Sequence, residues 1–309
     1  MKILVTGGAG YIGTVLIPML IEKKFKVTSL DNYLFNQKLN FKNNNLSLIK
    51  GDVKDYKLVQ QILDEKFDFI IPLAGLVGAP LCEVKPQEAK EVNEKAIEFL
   101  CHNADKDSKI IVPTTNSGYG IGKKNIYCTE ESPLNPISIY GVTKVNAEKI
   151  ILSRGNSISF RLATVFGVSP RMRLDLLVNH FVYKALKFKK IEIFEGDFKR
   201  NYVSVHDVAR VFVFGIENFQ KLKDNIFNFG LENVNLTKIE LAKKIKDQIP
   251  DFEYILNNNM QDPDKRDYIV SNEKILKTGF VFQNSIADGI RQLIKKNVQD
   301  LDYSKCSNV

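Results

Sequence analysis

The sequence lacks the segments that define membrane and secreted proteins. Its 309 residues contain no apolar run near the roughly 20 residues that a membrane-spanning helix needs. The first residues, MKILVTGGAGYIG, carry only a short apolar run broken by glycines, without the h-region and cleavage site of a signal peptide. We therefore expect a soluble, cytoplasmic protein with no membrane partner.

Cysteine and histidine are also scarce, and their spacing offers no metal site. Cys82, Cys101, Cys128 and Cys306 form no Cys-x-x-Cys pair, and the 3 histidines do not cluster with them. Such spacing supports neither a zinc site nor a disulfide framework. We expect reduced, structural thiols and no bound metal.

Positive charge is in excess, but it is not gathered into blocks. The formal net charge is +8, and lysines alternate with acidic residues in segments such as EAKEVNEKAIEF. No basic block with interleaved aromatic residues occurs, so we expect no nucleic-acid partner. The charge is compatible with an anionic small substrate.

Short apolar runs alternate with helical patterns in the first half of the chain. The runs cover 2–6, 25–30, 46–50, 67–74, 109–115 and 157–163, with helical patterns near 11–23, 55–65, 86–105 and 138–153. Runs without polar alternation indicate strands buried on both faces, and therefore a parallel sheet covered by helices. We predict an α/β fold with a Rossmann doubly wound parallel sheet over residues 1–165.

The pattern becomes irregular after residue 164. Helices are predicted near 174–188, from 206 and from LTKIELAKKIKDQI, with strands in IEIF, NYVSV and NIFNF. We predict a smaller C-terminal lobe, made of residues 166–202 and 229–309, folded over one edge of the sheet. A segment at about 203–228 would cross back to the first domain.

The segment VTGGAGYIG lies between the first predicted strand and the first predicted helix. Gly7, Gly10 and Gly13 permit a tight turn, close approach of a pyrophosphate to the backbone, and packing of helix on strand. The free N–H groups of the helix N-terminus suit an anion. We predict a dinucleotide site that also includes Tyr11 and Ile12.

Further strand ends complete this predicted site. Asp31 ends the second strand, about 20 residues past the glycines, where a carboxylate accepts hydrogen bonds from a ribose 2′-OH. No arginine follows that would hold a 2′-phosphate, so NAD is favoured over NADP; the alternative is that Asp31 caps a turn. The other predicted cofactor contacts follow the second, third and fourth strands: Asn32, Asp52, Val53, Leu73, Ala74 and Gly75.

The motif YGVTK puts two reactive side chains on one helix face. Tyr140 and Lys144 are four residues apart, so both can point at one site. Thr115 stands at the carboxyl end of the fifth strand, where ligands of open α/β sheets bind. For the pair alone, an amphipathic helix with a surface lysine explains the spacing as well.

Taken in order, TGGAGYIG, Asp31, GDV, Thr115 in TTNSGYG, YGVTK, FRLATVFG and RNYVSVHDVAR resemble a known family. It is the NAD-dependent nucleotide-sugar epimerase/dehydratase family of extended short-chain dehydrogenases/reductases. The resemblance implies that Thr115, Tyr140 and Lys144 are catalytic and that Tyr140 takes a proton from a sugar hydroxyl. Because a phenol with a pKa of about 10 is a poor base, we expect a nearby ammonium and the positive nicotinamide to favour its phenolate.

The same resemblance bears on the reaction. Relatives with 4,6-dehydratase activity carry an Asp-Glu pair where this chain has Asn116 and Ser117, which argues against dehydration. Oxidation of the sugar at C4 remains, with three possible outcomes. The 4-keto sugar can be re-reduced to the C4 epimer, it can be released as the product, or the enzyme can run the reverse reaction and reduce a keto sugar. Expected substrate contacts are Asn116 and Ser117 and, at the diphosphate by family position, Asn179, Arg200 and Arg266; interlobe ion pairs are the alternative for the arginines. Arg171 and Arg173 are expected near the mouth of the site.

The segments RLATVFGVSPRMRLDLLVN and LVGAPLC resemble a subgroup associated with bacterial surface-polysaccharide sugars, the GDP-manno-heptose 4-dehydrogenases. This resemblance implies a GDP-linked substrate, a 4-keto product and a nucleotide-sugar-binding C-terminal lobe. Two further readings stay open: a nucleotide-sugar 4-epimerase of the UDP-hexose type, and a non-catalytic NAD-binding regulator. The resemblance also implies a homodimer formed through the helices near 86–105 and 138–153.

Overall fold

A computed structural model describes residues 1–37, 39, 42–257 and 266–308 of the chain. Its strands, in chain order, are β1 (Lys2–Thr6), β2 (Lys26–Asp31), β3 (Leu46–Lys50), β4 (Phe69–Pro72), β5 (Lys109–Thr115), β6 (Tyr127–Cys128), β7 (Ser157–Leu162), β8 (Thr164–Phe166), β9 (Lys190–Ile193), β10 (Lys199–Ser204), β11 (Asn225–Phe229), β12 (Asn235–Thr237), β13 (Glu253–Leu256) and β14 (Ile269–Val270).

The α-helices are α1 (Gly13–Glu22), α2 (Tyr56–Leu63), α3 (Ala79–Val84), α4 (Pro86–Lys90), α5 (Ala96–Asn103), α6 (Ile139–Arg154), α7 (Leu177–Phe188), α8 (Val205–Glu217), α9 (Phe219–Leu222), α10 (Lys238–Lys246), α11 (Glu273–Leu276) and α12 (Ile286–Lys295). A π-helical turn covers Glu91–Lys95, and 3₁₀ turns cover Asn116–Tyr119, Val298–Asp300 and Tyr303–Lys305. Within the described ranges, no helix is long and apolar enough to cross a bilayer.

A seven-stranded parallel sheet forms the centre of the molecule, in the order β11-β7-β5-β4-β1-β2-β3. Strands added outward in both directions from β1 give the doubly wound arrangement, which confirms the predicted fold. The apolar runs arise because most of these strands are covered on both faces. β3 is the exception: it lies at the edge and its residues are largely exposed.

Helices cover the two faces of the sheet and divide its apolar side chains between them. Within β1, Ile3 and Val5 pack against α1 and α8, whereas Leu4 packs on the opposite side with α2, α5 and α6. Successive strand residues point to opposite faces, so one run supplies both cores. Because α6 belongs to the second layer, its first turns lie beside the carboxyl end of β5.

A second hydrophobic cluster lies outside the main sheet and joins α7, α10 and α12, with Phe166 and Tyr202 among its members. Here β10 lies between β8 and β12, β9 pairs with β13, and β6 pairs with β14. Residues 203–229 contribute to the first cluster, together with α1 and the central strands. The division into two lobes at the stated boundaries stays a prediction.

The predicted helical stretch over 86–105 is confirmed, since α4, the π-helical turn and α5 follow one another without a break from Pro86 to Asn103. A further short helix, α3, precedes them and was not predicted. Pro86 at the start of α4 prevents α3 from continuing, because proline lacks the N–H and restricts the preceding residue. The other predicted helices and strands agree with the structure to within a few residues.

Candidate active site at the carboxyl ends of the strands

A large cavity lies outside the carboxyl ends of β1, β2, β4 and β5. Its volume is about 1660 Å³, part of which is open solvent at the mouth. The predicted residues that line it are Gly7, Gly10, Tyr11, Ile12, Gly13, Asp31, Asn32, Asp52, Val53, Leu73, Ala74, Gly75, Thr115, Ser117, Tyr140, Lys144, Arg171, Arg173 and Arg266.

The N-terminus of α1 is open to an anion. The residue that precedes the helix, Ile12, makes no side-chain cap, and the first turn carries no acidic residue. The first N–H groups of a helix need partners from outside, and the helix dipole favours negative charge there. In front of Gly10, an added Cβ would meet only the carbonyl oxygen of Gly7, at 3.1 Å. The turn therefore fits a pyrophosphate.

Two of the three glycines are required by the backbone itself. Gly7 has a φ of +72°, and a Cβ there would lie 2.5 Å from the backbone nitrogen of Ala74. At Gly13 a Cβ would lie 2.5 Å from the carbonyl oxygen of Gly8. A side chain at residue 7 would push the end of β1 away from the end of β4. A side chain at residue 13 would push α1 away from the glycine turn that precedes it.

Asp31 is fixed at the end of β2 by its backbone neighbours. Its carboxylate oxygens accept hydrogen bonds from the N–H groups of Ala9, at 2.9 Å, and Tyr33, at 2.8 Å. Burial raises the pKa of this carboxyl group above its usual value, although both N–H groups act against the rise. The contact with Ala9 connects the carboxylate directly to the glycine turn.

Thr115, Tyr140 and Lys144 are brought together at the other end of the cavity. Ser138 caps α6 through the N–H of Gly141, at 3.1 Å, which orients the first turn that carries Tyr140. The side chain of Lys144 is buried, and its Nζ donates to the carbonyl oxygen of Pro113 at 3.3 Å. All three side chains line the cavity, and the Thr115 hydroxyl acts to lower the pKa of Tyr140.

Burial dominates the pKa values of both Tyr140 and Lys144 in the structure without NAD. Burial raises the pKa of Tyr140 to about 12, against the opposing influence of Arg266, the Thr115 hydroxyl and Arg173. Burial also lowers the pKa of Lys144 to about 8. For both groups, the loss of hydration on burial is the largest influence on the pKa.

Arginines dominate the charge at the reacting end. Arg266 donates from Nη1 to Ser117 Oγ, which lies 2.7 Å from Thr115 Oγ1. Arg173 pairs with Asp175, and Arg171 stacks on Phe35, with its guanidinium carbon 4.7 Å from the ring centroid. Among the cavity-lining residues described by the structure, the carboxylates are Asp31, Asp52 and Glu88, which belong to the opposite end.

Three of the predicted substrate residues do not reach the cavity wall. Asn179 is buried, and its amide bonds to Gly167, Tyr11 and Arg173, so it joins the glycine turn to the segment after β8. Arg200 is buried in β10, with its Nη1 on the carbonyl oxygen of Lys199. Asn116 is fully buried, and neither of its amide atoms has a partner in the structure.

Several residues around the cavity carry no local sequence signal. Asn93, in the π-helical turn, binds both backbone groups of Leu76, at 2.9 and 3.0 Å, and the hydroxyl of Thr143 at 3.3 Å. It therefore fixes a wall segment to the helix of Tyr140. Phe35, Tyr268 and Asn308 line the cavity from distant parts of the chain, and only the fold brings them there.

A buried ion pair holds α6 against the sheet. The carboxylate of Glu148, one turn after Lys144, accepts from Arg161 at 2.7 Å, and also from Thr114 and Ser159 at 2.8 and 2.7 Å. Both charged side chains are 4% exposed. Since Thr114 precedes Thr115, this network sets the separation between Tyr140 and the end of β5.

The chain is similar to a known protein family and to several characterised proteins. The family model described as NAD dependent epimerase/dehydratase family matches residues 3–230. A UDP-glucose 4-epimerase of Lactobacillus helveticus is 30% identical over 271 residues, covering 79% of this chain and 82% of that protein. A dTDP-D-glucose 4,6-dehydratase of Dictyostelium discoideum is 28% identical, covering 79% of this chain and 61% of that protein. The structure of a Thermotoga maritima UDP-glucose 4-epimerase with UDP-glucose superposes with a TM-score of 0.84 at 25% identity, covering 96% and 98% of the two chains.

Proposed function

Because the chain belongs to the NAD dependent epimerase/dehydratase family, we propose that it oxidises C4 of a nucleotide-activated sugar and re-reduces the 4-keto product. It is an enzyme, and its cofactor is NAD. The observation that carries the proposal is the convergence of Thr115, Tyr140 and Lys144 at one end of a cavity whose other end is the glycine turn.

The residues at the reacting end have distinct roles in this proposal. When bound, NAD would supply the acceptor for the hydride of the sugar carbon. Tyr140 takes the hydroxyl proton of the same carbon and returns it on re-reduction, so protons and electrons balance over the cycle. Thr115 hydrogen-bonds the reacting oxygen, and Lys144 holds the nicotinamide ribose. Gly7, Gly10 and Gly13 hold the pyrophosphate, and Asp31 binds the adenosine ribose.

Dehydration is disfavoured by the chemistry available beside Tyr140. Removal of water across C5 and C6 needs a proton acceptor at one carbon and a proton donor at the leaving hydroxyl. Asn116 cannot exchange a proton at neutral pH, and Ser117 is committed to Thr115 and Arg266. The carboxylates among the described lining residues belong to the adenosine end.

Within C4 chemistry, we favour a 4-epimerase acting on a UDP-linked sugar. The relatives named UDP-glucose 4-epimerase support this choice over net dehydrogenation and over a purely regulatory role. A GDP-manno-heptose 4-dehydrogenase is the second candidate. It is supported because both segments that carry that resemblance line the cavity, through Leu76 and Val77 in one and Thr164 and Arg173 in the other.

A panel of UDP-, GDP-, CDP- and dTDP-linked sugars tests the proposal, with Tyr140→Phe as the matched variant. We expect wild type to interconvert C4 epimers of one substrate without net NADH, and Tyr140→Phe to keep NAD while turnover falls at least 10³-fold, about 4 kcal/mol in activation free energy. Net NADH with a 4-keto product would favour the dehydrogenase. NAD binding without turnover of any sugar in the panel would favour a regulator and refute the proposal.

Two expectations about the whole protein stay predictions. We propose a homodimer through the faces of α5 and α6, where Val142 is exposed and Phe99 is half-buried. Light scattering in solution tests this proposal. A cytoplasmic location agrees with the expected activity on nucleotide-activated sugars.

A further inference from the structure

Arg171 is a buried cation on the cavity wall whose hydrogen-bond partners are all uncharged. The residue is 5% exposed and lines the cavity. Its Nη1 donates to the backbone carbonyl oxygen of Met172 at 2.6 Å. Its Nη2 donates to Asn308 Oδ1 at 2.7 Å and to the carbonyl oxygen of Ser307 at 3.4 Å. These contacts fix the guanidinium in place but do not neutralise its charge.

Part of the hydrogen-bonding capacity of this guanidinium is left over. A guanidinium carries five N–H donors, and here the Nε–H and the second Nη1–H have no acceptor within the ranges that the structure describes. The described residues also place no carboxylate in ion-pair contact with Arg171, whereas Arg173 pairs with Asp175. Burial, followed by the charge of Arg173, lowers the pKa of Arg171 against the opposing effects of Asp175 and Cys306. An anion in the cavity would therefore stabilise this side chain.

The segment that carries Arg171 is docked on the glycine turn. Ser169 Oγ donates to the carbonyl oxygen of Tyr11 at 2.8 Å and lies 2.8 Å from Thr14 Oγ1, in the first turn of α1. The hydroxyl of Tyr11 in turn donates to the carbonyl oxygen of Gly167 at 2.7 Å. All four of these side-chain and backbone groups are buried. The backbone two residues before Arg171 is therefore fixed against the turn that fits a pyrophosphate.

The ring of Phe35 connects Arg171 to the adenosine end of the site. Phe35 lines the cavity four residues after Asp31, and its ring centroid lies 4.7 Å from the guanidinium carbon. An aromatic ring covers one face of a guanidinium and leaves the N–H groups, which lie in its plane, able to donate. Arg171 is therefore attached to the glycine turn through Ser169 and to the loop that follows Asp31 through Phe35. In a dinucleotide, the pyrophosphate lies next to the adenosine ribose that Asp31 is expected to bind.

We propose that Arg171 binds a pyrophosphate group, and that this group belongs to the dinucleotide and not to the sugar nucleotide. The proposal rests on the proposed function for the identity of its ligand. The forked N–H groups of an arginine suit two phosphate oxygens, and the N-terminus of α1 offers backbone N–H groups to the same anion. A sugar nucleotide has another arginine available, since Arg266 contacts Ser117 at the reacting end. Only the fold brings Arg171 to the glycine turn, because the two are far apart in the sequence.

Calorimetric titration of NAD-free protein tests the contact without any sugar substrate. We expect Arg171→Met to weaken NAD binding about 10- to 100-fold, as for the loss of a hydrogen bond between charged groups. Arg171→Lys should recover part of this loss, because it keeps the charge but not the fork. Adenosine, which has the base and ribose but no phosphate, should bind Arg171→Met as it binds wild type, measured by competition with NAD. Arg291→Met, at an exposed arginine on α12, is the control and should bind NAD like wild type.

A second titration separates the two sources of pyrophosphate. UDP and GDP are titrated into NAD-loaded protein, and we expect Arg171→Met to bind both with wild-type affinity. Weaker UDP or GDP binding with unchanged NAD binding would overturn the assignment to the dinucleotide and transfer Arg171 to the sugar nucleotide. An equal loss of adenosine and NAD binding would show that Arg171 only supports the fold, and would also overturn the proposal. If wild type turns over no nucleotide sugar while NAD binding depends on Arg171, the proposed function fails and the role of Arg171 stands.

Discussion

Replacing Lys144 by methionine should make the cofactor-free protein more stable at neutral pH. The side chain is buried, and its Nζ has the carbonyl oxygen of Pro113 as its hydrogen-bond partner. Burial lowers the lysine pKa from 10.5 to about 8, so the folded state is penalised whenever this ammonium is charged. Methionine fills a similar volume without charge.

The magnitude follows from the size of the shift. At about 1.4 kcal/mol per pKa unit, a depression of this size lowers the free energy of unfolding by about 3 kcal/mol below pH 8. Loss of the bond to Pro113 offsets about 1 kcal/mol. The variant should therefore gain about 2 kcal/mol at pH 7, or about 3 °C in Tm for a chain of 309 residues.

The pH dependence identifies the buried charge as the cause. Between pH 8 and 10.5 the unfolded lysine binds more protons than the folded one, so wild-type stability rises with pH in this window. The advantage of Lys144→Met should therefore shrink by about 2 kcal/mol between pH 7 and pH 9.5. Thermal unfolding of NAD-free protein at both pH values measures it, with Lys149→Met, exposed on the same helix, as the control.

A Lys144→Met variant that is less stable than wild type at pH 7 would refute this reasoning. So would an advantage of equal size at pH 7 and 9.5, because it would come from packing and not from the buried charge. The expected gain comes with a loss of turnover, since the proposed function assigns Lys144 a contact with the nicotinamide ribose.

Two further predictions concern the supports of the site. Glu148→Gln should destabilise the protein by about 3–5 kcal/mol, because it leaves the guanidinium of Arg161 buried without its carboxylate; urea unfolding measures the loss, and the double variant with Arg161→Met should recover part of it. Asp31→Ala should weaken NAD binding by about 10- to 100-fold, the equivalent of about 1.5–3 kcal/mol for a charged hydrogen-bond acceptor, as measured by calorimetry. An unchanged NAD affinity would mean that Asp31 only orders the backbone of Ala9 and Tyr33.

The cofactor end of the site was predictable because its signals are local. Gly7, Gly10 and Gly13 lie within one turn, and the position of that turn between a strand and a helix is visible in the sequence. The remaining residues, from Asp31 to Gly75, follow strands that are apolar because both faces are covered. Parallel strands bring their carboxyl ends to one edge, so the order of the runs was enough to group these residues around one cavity.

The substrate end was less predictable because its contacts join distant segments. Asn179 and Arg200 are polar residues in the expected neighbourhood, but only the fold shows that Asn179 binds Gly167 and Tyr11 and that Arg200 lies inside β10. Asn93 was missed for a different reason: its orientation depends on the π-helical turn, which residue spacing does not predict.

Residue 117 shows both what the sequence predicts about the site and what only the fold reveals. From the sequence, Ser117 is defined by what it is not, namely the carboxylate that the resemblance associates with dehydration. In the structure the same side chain accepts from Arg266 and lies 2.7 Å from Thr115 Oγ1. A carboxylate at this position would form an ion pair with the guanidinium and could also act as a proton carrier, whereas the hydroxyl does neither. The residue type at position 117 therefore argues against elimination both in the sequence and in the structure.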